Sequence, residues 1–484
     1  MTLNPIPLFL PLRVRVLALA LFATLAGCAV GPAYERPIAA QPALYKQAEG
    51  WLPAVPADTL ARGPWWQLFG DPVLDQMAAS IDVSNQNVAA AIASYAQARA
   101  LVREQRAALF PSIDLSGSGD RSGSQRASTT TGTSGVSGGA GSGPSNQYRL
   151  SIGGSWEPDI WGRLRAGVVG ANAGLDASAA DLAAARLSAQ GELAINYFSL
   201  RQTDAQQVLL DATIAGYQRV LQITQNRFDA GIATHADVLQ AQTQLANTQA
   251  DAVGLVRQRA QFEHAIAILL GKAPFDFSLV RAAWTVSVPD IPPGLPSTLL
   301  QRRPDIAASE RRVAVANEQI GIARSAYFPS LNLTGSYGSG ASAVAALFDA
   351  SSSVWAIGVS AAQNLFNAGA TGARVDGARA AHAVTVANYR QTVLTAFADV
   401  ENQLAATRAL MQQQELRRIA SSSADQVEQQ MLNRYRAGQV GYTDVVTAQV
   451  TALSARRALV QLQADRQTTA VALIQSLGGG WSAQ

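Results

Sequence analysis

The sequence predicts an α+β membrane protein in which pairs of short amphipathic strands join very long helices, the whole pattern being written twice in one chain. Three observations carry this prediction. The stretch FPSIDLSGS at 110–118 returns at 328–336 as FPSLNLTGS, with only Ile/Leu, Asp/Asn and Ser/Thr exchanged. Around each copy the hydrophobic period switches from helical spacing to strict alternation. Two segments without proline, 163–230 and 370–437, keep helical spacing throughout. At 1.5 Å per residue each would run about 100 Å, more than a compact domain can hold.

The duplication extends beyond those nine residues. An offset of 218 (328 minus 110) aligns 85–118 with 303–336 without a gap, setting Ala98 on Ala316 and Arg106 on Arg324. An offset of 207 (433 minus 226) aligns NRFDAGIATHADV at 226–238 with NRYRAGQVGYTDV at 433–445. The chain therefore divides into a first repeat, 65–280, a proline-rich linker, 281–298, and a second repeat, 299–484.

Each element follows from local chemistry. The Ala-rich segments 80–109 and 302–327 have helical spacing and end at Pro111 and Pro329, which disfavour helix at the residue before them. Beyond each proline Ile113 and Leu115 alternate with Asp114 and Ser116, and Leu331 and Leu333 with Asn332 and Thr334. Strands are expected at about 112–125 and 329–340. After a Gly/Ser/Thr-rich loop, Tyr148, Leu150, Ile152 and Trp156 alternate with polar or small residues, as do Trp355, Ile357 and Val359 after a shorter loop. These give partner strands at about 146–159 and 353–366. The long helical segments turn at Gly231 and Gly438 into helices over 235–270 and 442–477. Two short helices end to end match one long one, so each repeat contributes a long antiparallel helical hairpin.

Four strands with one apolar and one polar face cannot close a barrel, and open edges are not tolerated in lipid, where unpaired N–H and C=O groups find no water. Copies of the chain must pool their strands. Two copies supply eight, and three supply twelve.

Composition narrows the function. Of 484 residues 15% are charged, against about a quarter in typical soluble proteins. Arg13 and Arg15 precede an apolar run, Val16–Ala26, of secretory-signal length and too short to span a bilayer. With residues 1–27 removed as a signal peptide, 35 basic side chains (37 minus 2) face 34 acidic ones, which argues against nucleic acid as a partner. No run of 18 apolar residues occurs later, so any membrane passage uses strands. The run ends in Leu25-Ala26-Gly27-Cys28, which resembles the lipobox of bacterial lipoproteins. Cys28, the only cysteine, is then the lipid-bearing first residue of a coil segment, 28–64, and Ala29 after it favours the outer membrane. No other cofactor or metal is expected.

The blocks WWQLFGDPVLDQM (65–77), SWEPDIWGRLRAG (155–167), LLQRRPDIAASE (299–310) and ANEQIGIARSAYFPSLNLTG (316–335), with both FPS junctions and both turn motifs, occur in an order that is specific in combination. Over essentially the whole mature chain they resemble the TolC-like outer membrane efflux proteins, in the lipoprotein branch called NodT-type. The resemblance implies a homotrimer whose twelve-stranded outer membrane barrel continues into a helical periplasmic tunnel. It implies an exit duct for small molecules such as drugs, working with a periplasmic adapter and an inner membrane transporter, often of the resistance-nodulation-division class. A channel for type I protein or polysaccharide secretion is the alternative within this reading.

By motif position the resemblance makes Asp444 and Asp237 the acids of a periplasmic gate, with Tyr435 an aromatic of the same constriction. Three copies of Asp444 around one axis would repel and attract cations. The competing reading has Thr234 and Asp237 forming a capping box and Asp444 favouring a helix N-terminus through the dipole. Two positions depart from the family pattern, Thr447 replacing a second aspartate and Val440 a basic residue. Gly231, Ile232, Gly438, Gln439 and Val440 resemble tips that adapters dock against, although glycine is also what a helix C-terminus at positive φ requires.

An enzyme is not expected: His235, His264 and His382 lie far apart, no HExxH or paired-cysteine motif occurs, and the glycine strings sit in low-complexity sequence rather than between strand and helix. A lipid-anchored coiled rod would show sustained heptads without strands, and a simple porin would lack the long helices.

Overall fold

The computed structural model describes residues 30–38, 46, 64–123, 144–284, 286–289, 291 and 303–479. The signal peptide, Cys28, most of the 28–64 segment, the loop core 124–143 and all of 292–302 lie outside the described residues. In chain order the elements are α1 (Pro72–Ser84), α2 (Gln86–Ala107), β1 (Ser112–Ser122), β2 (Ser145–Trp156), α3 (Arg163–Asp229), α4 (His235–Leu269), α5 (Pro304–Ser325), β3 (Ser330–Ala341), β4 (Ser353–Ala362), α6 (Ala370–Arg436) and α7 (Tyr442–Ser476). The two longest, α3 and α6, have 67 residues each without a break. Two compact units arise, and both draw on both repeats: one from residues 1–36, 98–175 and 312–385, the other from 37–97, 176–311 and 386–484.

In the first unit the four strands form one antiparallel sheet in the order β1-β2-β3-β4. The register sorts side chains by face. Opposite residues share a face, so Leu115, Ile152, Tyr337 and Trp355 form one row, and Ile113, Gly154, Gly335 and Ile357 the next. Trp156, Leu333 and Val359 continue this apolar face. The other face carries Asp114, Ser116, Ser151, Asn332, Thr334 and Ser360, with Ser116 and Ser151 hydrogen-bonded at 2.9 Å. Within one chain the apolar face is uncovered: Ile357 is 82% and Trp355 72% exposed. Among the described residues, β1 pairs only with β2 and β4 only with β3, so both outer edges lack ladder partners.

The helix-to-strand junctions are built by backbone capture. The last turn of α2 closes through Phe110 N–H to the Ala107 carbonyl at 3.0 Å, and the strand begins directly after Pro111. Indoles then lock the junctions: Trp156 Nε1 donates to the Leu109 carbonyl at 2.9 Å, and Trp161 Nε1 to that of Pro329 at 2.7 Å while stacking on Phe328. The conformation after β2 follows from Asp159, whose carboxylate accepts from the N–H groups of Leu164 and Arg165 and so caps α3. β2 accordingly stops at Trp156, short of the expected 159, and β4 stops at Ala362, short of 366. The chain after β4 turns through Ala368 and Gly369, both at positive φ.

The second unit corrects one helix. The reading 80–109 is two helices, because Asn85 interrupts it. Its backbone is extended, its side-chain Oδ1 accepts from Asn87 and Val88 N–H to cap α2, and its Nδ2 donates to the Leu269 carbonyl at 2.7 Å. The preceding helix starts earlier, at Pro72, where Asp71 supplies the N-cap and proline takes the first position.

This unit also buries charge. Asp204 on α3 accepts from Arg259 Nε of α4 at 2.7 Å and from Arg201 Nη1 at 3.3 Å, and Arg259 pairs with Glu263 at 3.1 Å. The same guanidinium groups hold the segment leading into the linker: Arg201 donates to the Val280 carbonyl at 2.8 Å and Arg259 to that of Leu279. Farther along, Trp284 Nε1 donates to Gln467 Oε1 on α7 at 2.9 Å, and Gln467 Nε2 to the Ser287 carbonyl at 3.0 Å. Polar side chains thus turn an irregular segment into part of the packed unit.

Two outcomes follow from burial and facing. Asp204→Ala removes the carboxylate that Arg201 and Arg259 share, leaving the buried Arg201 guanidinium without a counter-charge, and should cost about 3–5 kcal/mol in urea unfolding of the detergent-solubilised protein. Ile357→Arg on the apolar face should cost about 2–4 kcal/mol in liposome-folding titrations. Ser360→Arg, on the opposite face, should cost far less, and equal costs would refute the facing.

Candidate functional site at the helical turns

Both helical hairpins turn by the same backbone device, and all of its residues belong to the second unit. After α3 the N–H of Gly231 bonds the Phe228 carbonyl at 2.8 Å and that of Ile232 the Arg227 carbonyl at 2.8 Å. After α6 Gly438 bonds Tyr435 at 2.9 Å and Gln439 bonds Arg434 at 2.9 Å. This double closure is the Schellman arrangement, and it needs φ near +71° at Gly231 and +73° at Gly438, which glycine adopts without strain. Gly231, Ile232, Gly438 and Gln439 are exposed. Val440 is different: it is half-buried and packs against the aromatic cluster below the turn.

The hairpins diverge where their second helices start. In α4, Thr234 Oγ1 accepts from Asp237 N–H at 3.3 Å while the Asp237 carboxylate accepts from Thr234 N–H at 2.9 Å, a complete capping box. In α7 the corresponding N-cap is Gly441, which has no side chain, and no side-chain capping bond forms. Asp444 is left exposed on the first turn, available to whatever faces it. The structure thus splits the two acids: Asp237 has a local task, and Asp444 has, among the described residues, none beyond favouring the helix dipole. Thr447, one turn on, donates its hydroxyl to the Thr443 carbonyl at 2.9 Å.

Tyr435 sits under the turn, 3% exposed, in a cluster with Val220, Ala241, Tyr442 and Val445 drawn from all four helices. Its hydroxyl meets Thr224 Oγ1 at 3.3 Å, and its ring lies 5.4 Å from that of Tyr442. Burial, followed by the neighbouring Tyr435, Tyr217 and Asp237, raises the Tyr442 phenol far above its ordinary range, so it stays neutral.

Sequence reasoning missed a residue that ties the two turns together. Arg227, in the last turn of α3, places its guanidinium 4.7 Å over the Tyr435 ring and donates from Nη1 to the carbonyls of Tyr435 at 2.9 Å and Arg436 at 3.1 Å. These are end-of-helix carbonyls of α6, which lack intrahelical donors, at the negative end of the helix dipole. Arg227 therefore places a cation at the end of α6, while Val440 packs into the apolar cluster. The signal was present in the paired NR dipeptides at 226 and 433.

With this geometry in view, likeness to known proteins is informative. The model of the family described as outer membrane efflux protein matches residues 79–272 and 295–479. The chain belongs to that family. The antibiotic efflux pump outer membrane protein ArpC of Pseudomonas putida is 31% identical, over 95% of this chain and 94% of its own length. The solvent efflux pump outer membrane protein SrpC of Pseudomonas putida is 32% identical, over 95% and 96%. The solved outer-membrane channel OprN superposes with a TM-score of 0.82 at 29% identity, covering 94% of this chain and 100% of that one.

The capping asymmetry yields a direct comparison for this family member. Thr234→Ala removes half of the box and should cost ~1 kcal/mol in thermal unfolding. Asp444→Asn should cost only about 0.3 kcal/mol, the exposed-dipole contribution. Equal losses would contradict the division of labour between the two acids.

Proposed function

We propose that this protein is the outer membrane exit duct of a tripartite efflux system, passively conducting small molecules such as drugs. Three copies pool their four strands into a twelve-stranded barrel, the apolar face with Trp355 and Ile357 toward lipid and the serine- and threonine-rich face toward a wetted lumen. The helices α3, α4, α6 and α7 supply the periplasmic tunnel, whose turns meet a periplasmic adapter. An inner membrane transporter, of the resistance-nodulation-division type, provides the energy, because the duct needs no catalysis. Lipid on Cys28 anchors the chain to the outer membrane.

The observation that carries this reading is the four-stranded amphipathic sheet with two unpaired edges, in a chain that belongs to the outer membrane efflux proteins. Antibiotics and solvents, named for the relatives ArpC and SrpC, support small molecules over polypeptides as cargo.

At the periplasmic end, Asp444 of three copies converges into an acidic constriction that adapter contacts relieve, a two-state opening driven by differential binding. Asp237, engaged in its capping box, contributes less. In planar bilayers Asp444→Ala should raise single-channel conductance, while Asp237→Ala should act mainly on stability. Conductance unaffected by Asp444→Ala would remove the gate from this account.

A further inference from the structure

The two repeats present the same turn, but only one of them is clasped. Arg227 belongs to a stripe on α3 with Val220 and Thr224, spaced i, i+4, i+7, and that stripe is covered within the chain: Val220 is 3% and Thr224 0% exposed. Adding 207 gives its counterpart on α6, Val427, Met431 and Arg434. There Val427 is 46% exposed, Met431 is half-buried at the border of the Tyr435 cluster, and Arg434 is exposed with no side-chain partner among the described residues.

The receiving side is duplicated too. Arg227 is received by the Tyr435 ring, which packs against Tyr442 at 5.4 Å and 58°. Subtracting 207 gives Phe228 against His235, and these rings pack at 5.5 Å and 47°. This second platform is built in the same way, yet no arginine lies over it among the described residues: Phe228 is 37% exposed and His235 is exposed. The chain therefore carries one closed clasp and the two separated halves of another.

We propose that the open halves close between copies, Arg434 of one protomer clasping the α3 end of the next as Arg227 clasps α6 within the chain. The proposal rests on the trimeric duct reading. In a closed ring of duplicated hairpins the contacts within and between copies alternate and are near-equivalent, so the residues of one contact specify those of the other. Arg434 then places its guanidinium over Phe228 and donates to the carbonyls of Phe228 and Asp229, the counterparts of Tyr435 and Arg436.

Two differences between the repeats fit an interface between copies. Where Tyr435 bonds Thr224 through its hydroxyl, the counterpart pair is Phe228 with Met431, an apolar pair replacing a polar one at both positions together. Where the clasped helix ends in Arg436, the unclasped one ends in Asp229, so an incoming Arg434 meets a carboxylate and not a like charge. This clasp holds the closed form of the tips.

The test combines Arg434→Cys with Phe228→Cys in the full-length protein, treated with a short bismaleimide and run on a denaturing gel beside each single variant and a native mass measurement. Covalent dimers and trimers are expected from the double variant and from neither single one. A native trimer that gives no linked copies overturns the clasp and leaves the duct intact. A native monomer overturns both. Charge reversal avoids the introduced thiols: Arg434→Glu should raise single-channel conductance and Asp229→Arg in the same chain should lower it again, whereas conductance indifferent to Arg434→Glu overturns the clasp.

Discussion

Everything in this protein depends on where the backbone hydrogen bonds of two strand edges go. A sheet of four strands satisfies its interior ladders, but the outer edges of β1 and β4 expose N–H and C=O groups that hydrocarbon cannot satisfy. Apolar side chains along much of one face make water an equally poor environment. Both difficulties have one remedy, closure with strands of further copies, which removes the edges and gives each face its proper solvent. The fold is therefore incomplete as one chain for a reason that lies in main-chain chemistry, independent of any particular side-chain contact.

The duplication turns that constraint into an architecture. Each repeat supplies a strand pair and a helical hairpin, so one gene product provides two near-equivalent units of a ring. The backbone kept the equivalence, as the paired Schellman turns at Gly231 and Gly438 show, while side chains diverged to divide the work. Thr234 caps α4 through its side chain and Gly441 has none to cap α7, which leaves Asp237 engaged and Asp444 exposed. Divergence at equivalent positions is thus more informative than either sequence alone.

Much of the fold was legible because it rests on local rules. Proline at 111 and 329 and the change of hydrophobic period located the junctions, and the glycine turns fell at 231 and 438 because a positive φ admits little else. The break at Asn85 was hidden by an unbroken Ala-rich pattern, since what decides it is a hydrogen bond to Leu269, far away in sequence. The clasp at Arg227 was hidden for the same reason: arginine near a helix C-terminus reads as a solvated dipole partner, and only folding brings it onto Tyr435.

The sequence by itself determined the repeats, the strand faces, the long helices and the need for partners, because each depends on spacing along the chain and on the solvent each face prefers. The tertiary structure decided which arginine is clasped and which is left open, and how the chain entering and following the linker is held by Arg201, Arg259 and Gln467. Those outcomes turn on distances between residues tens to hundreds of positions apart, and periodicity carries no information about such distances.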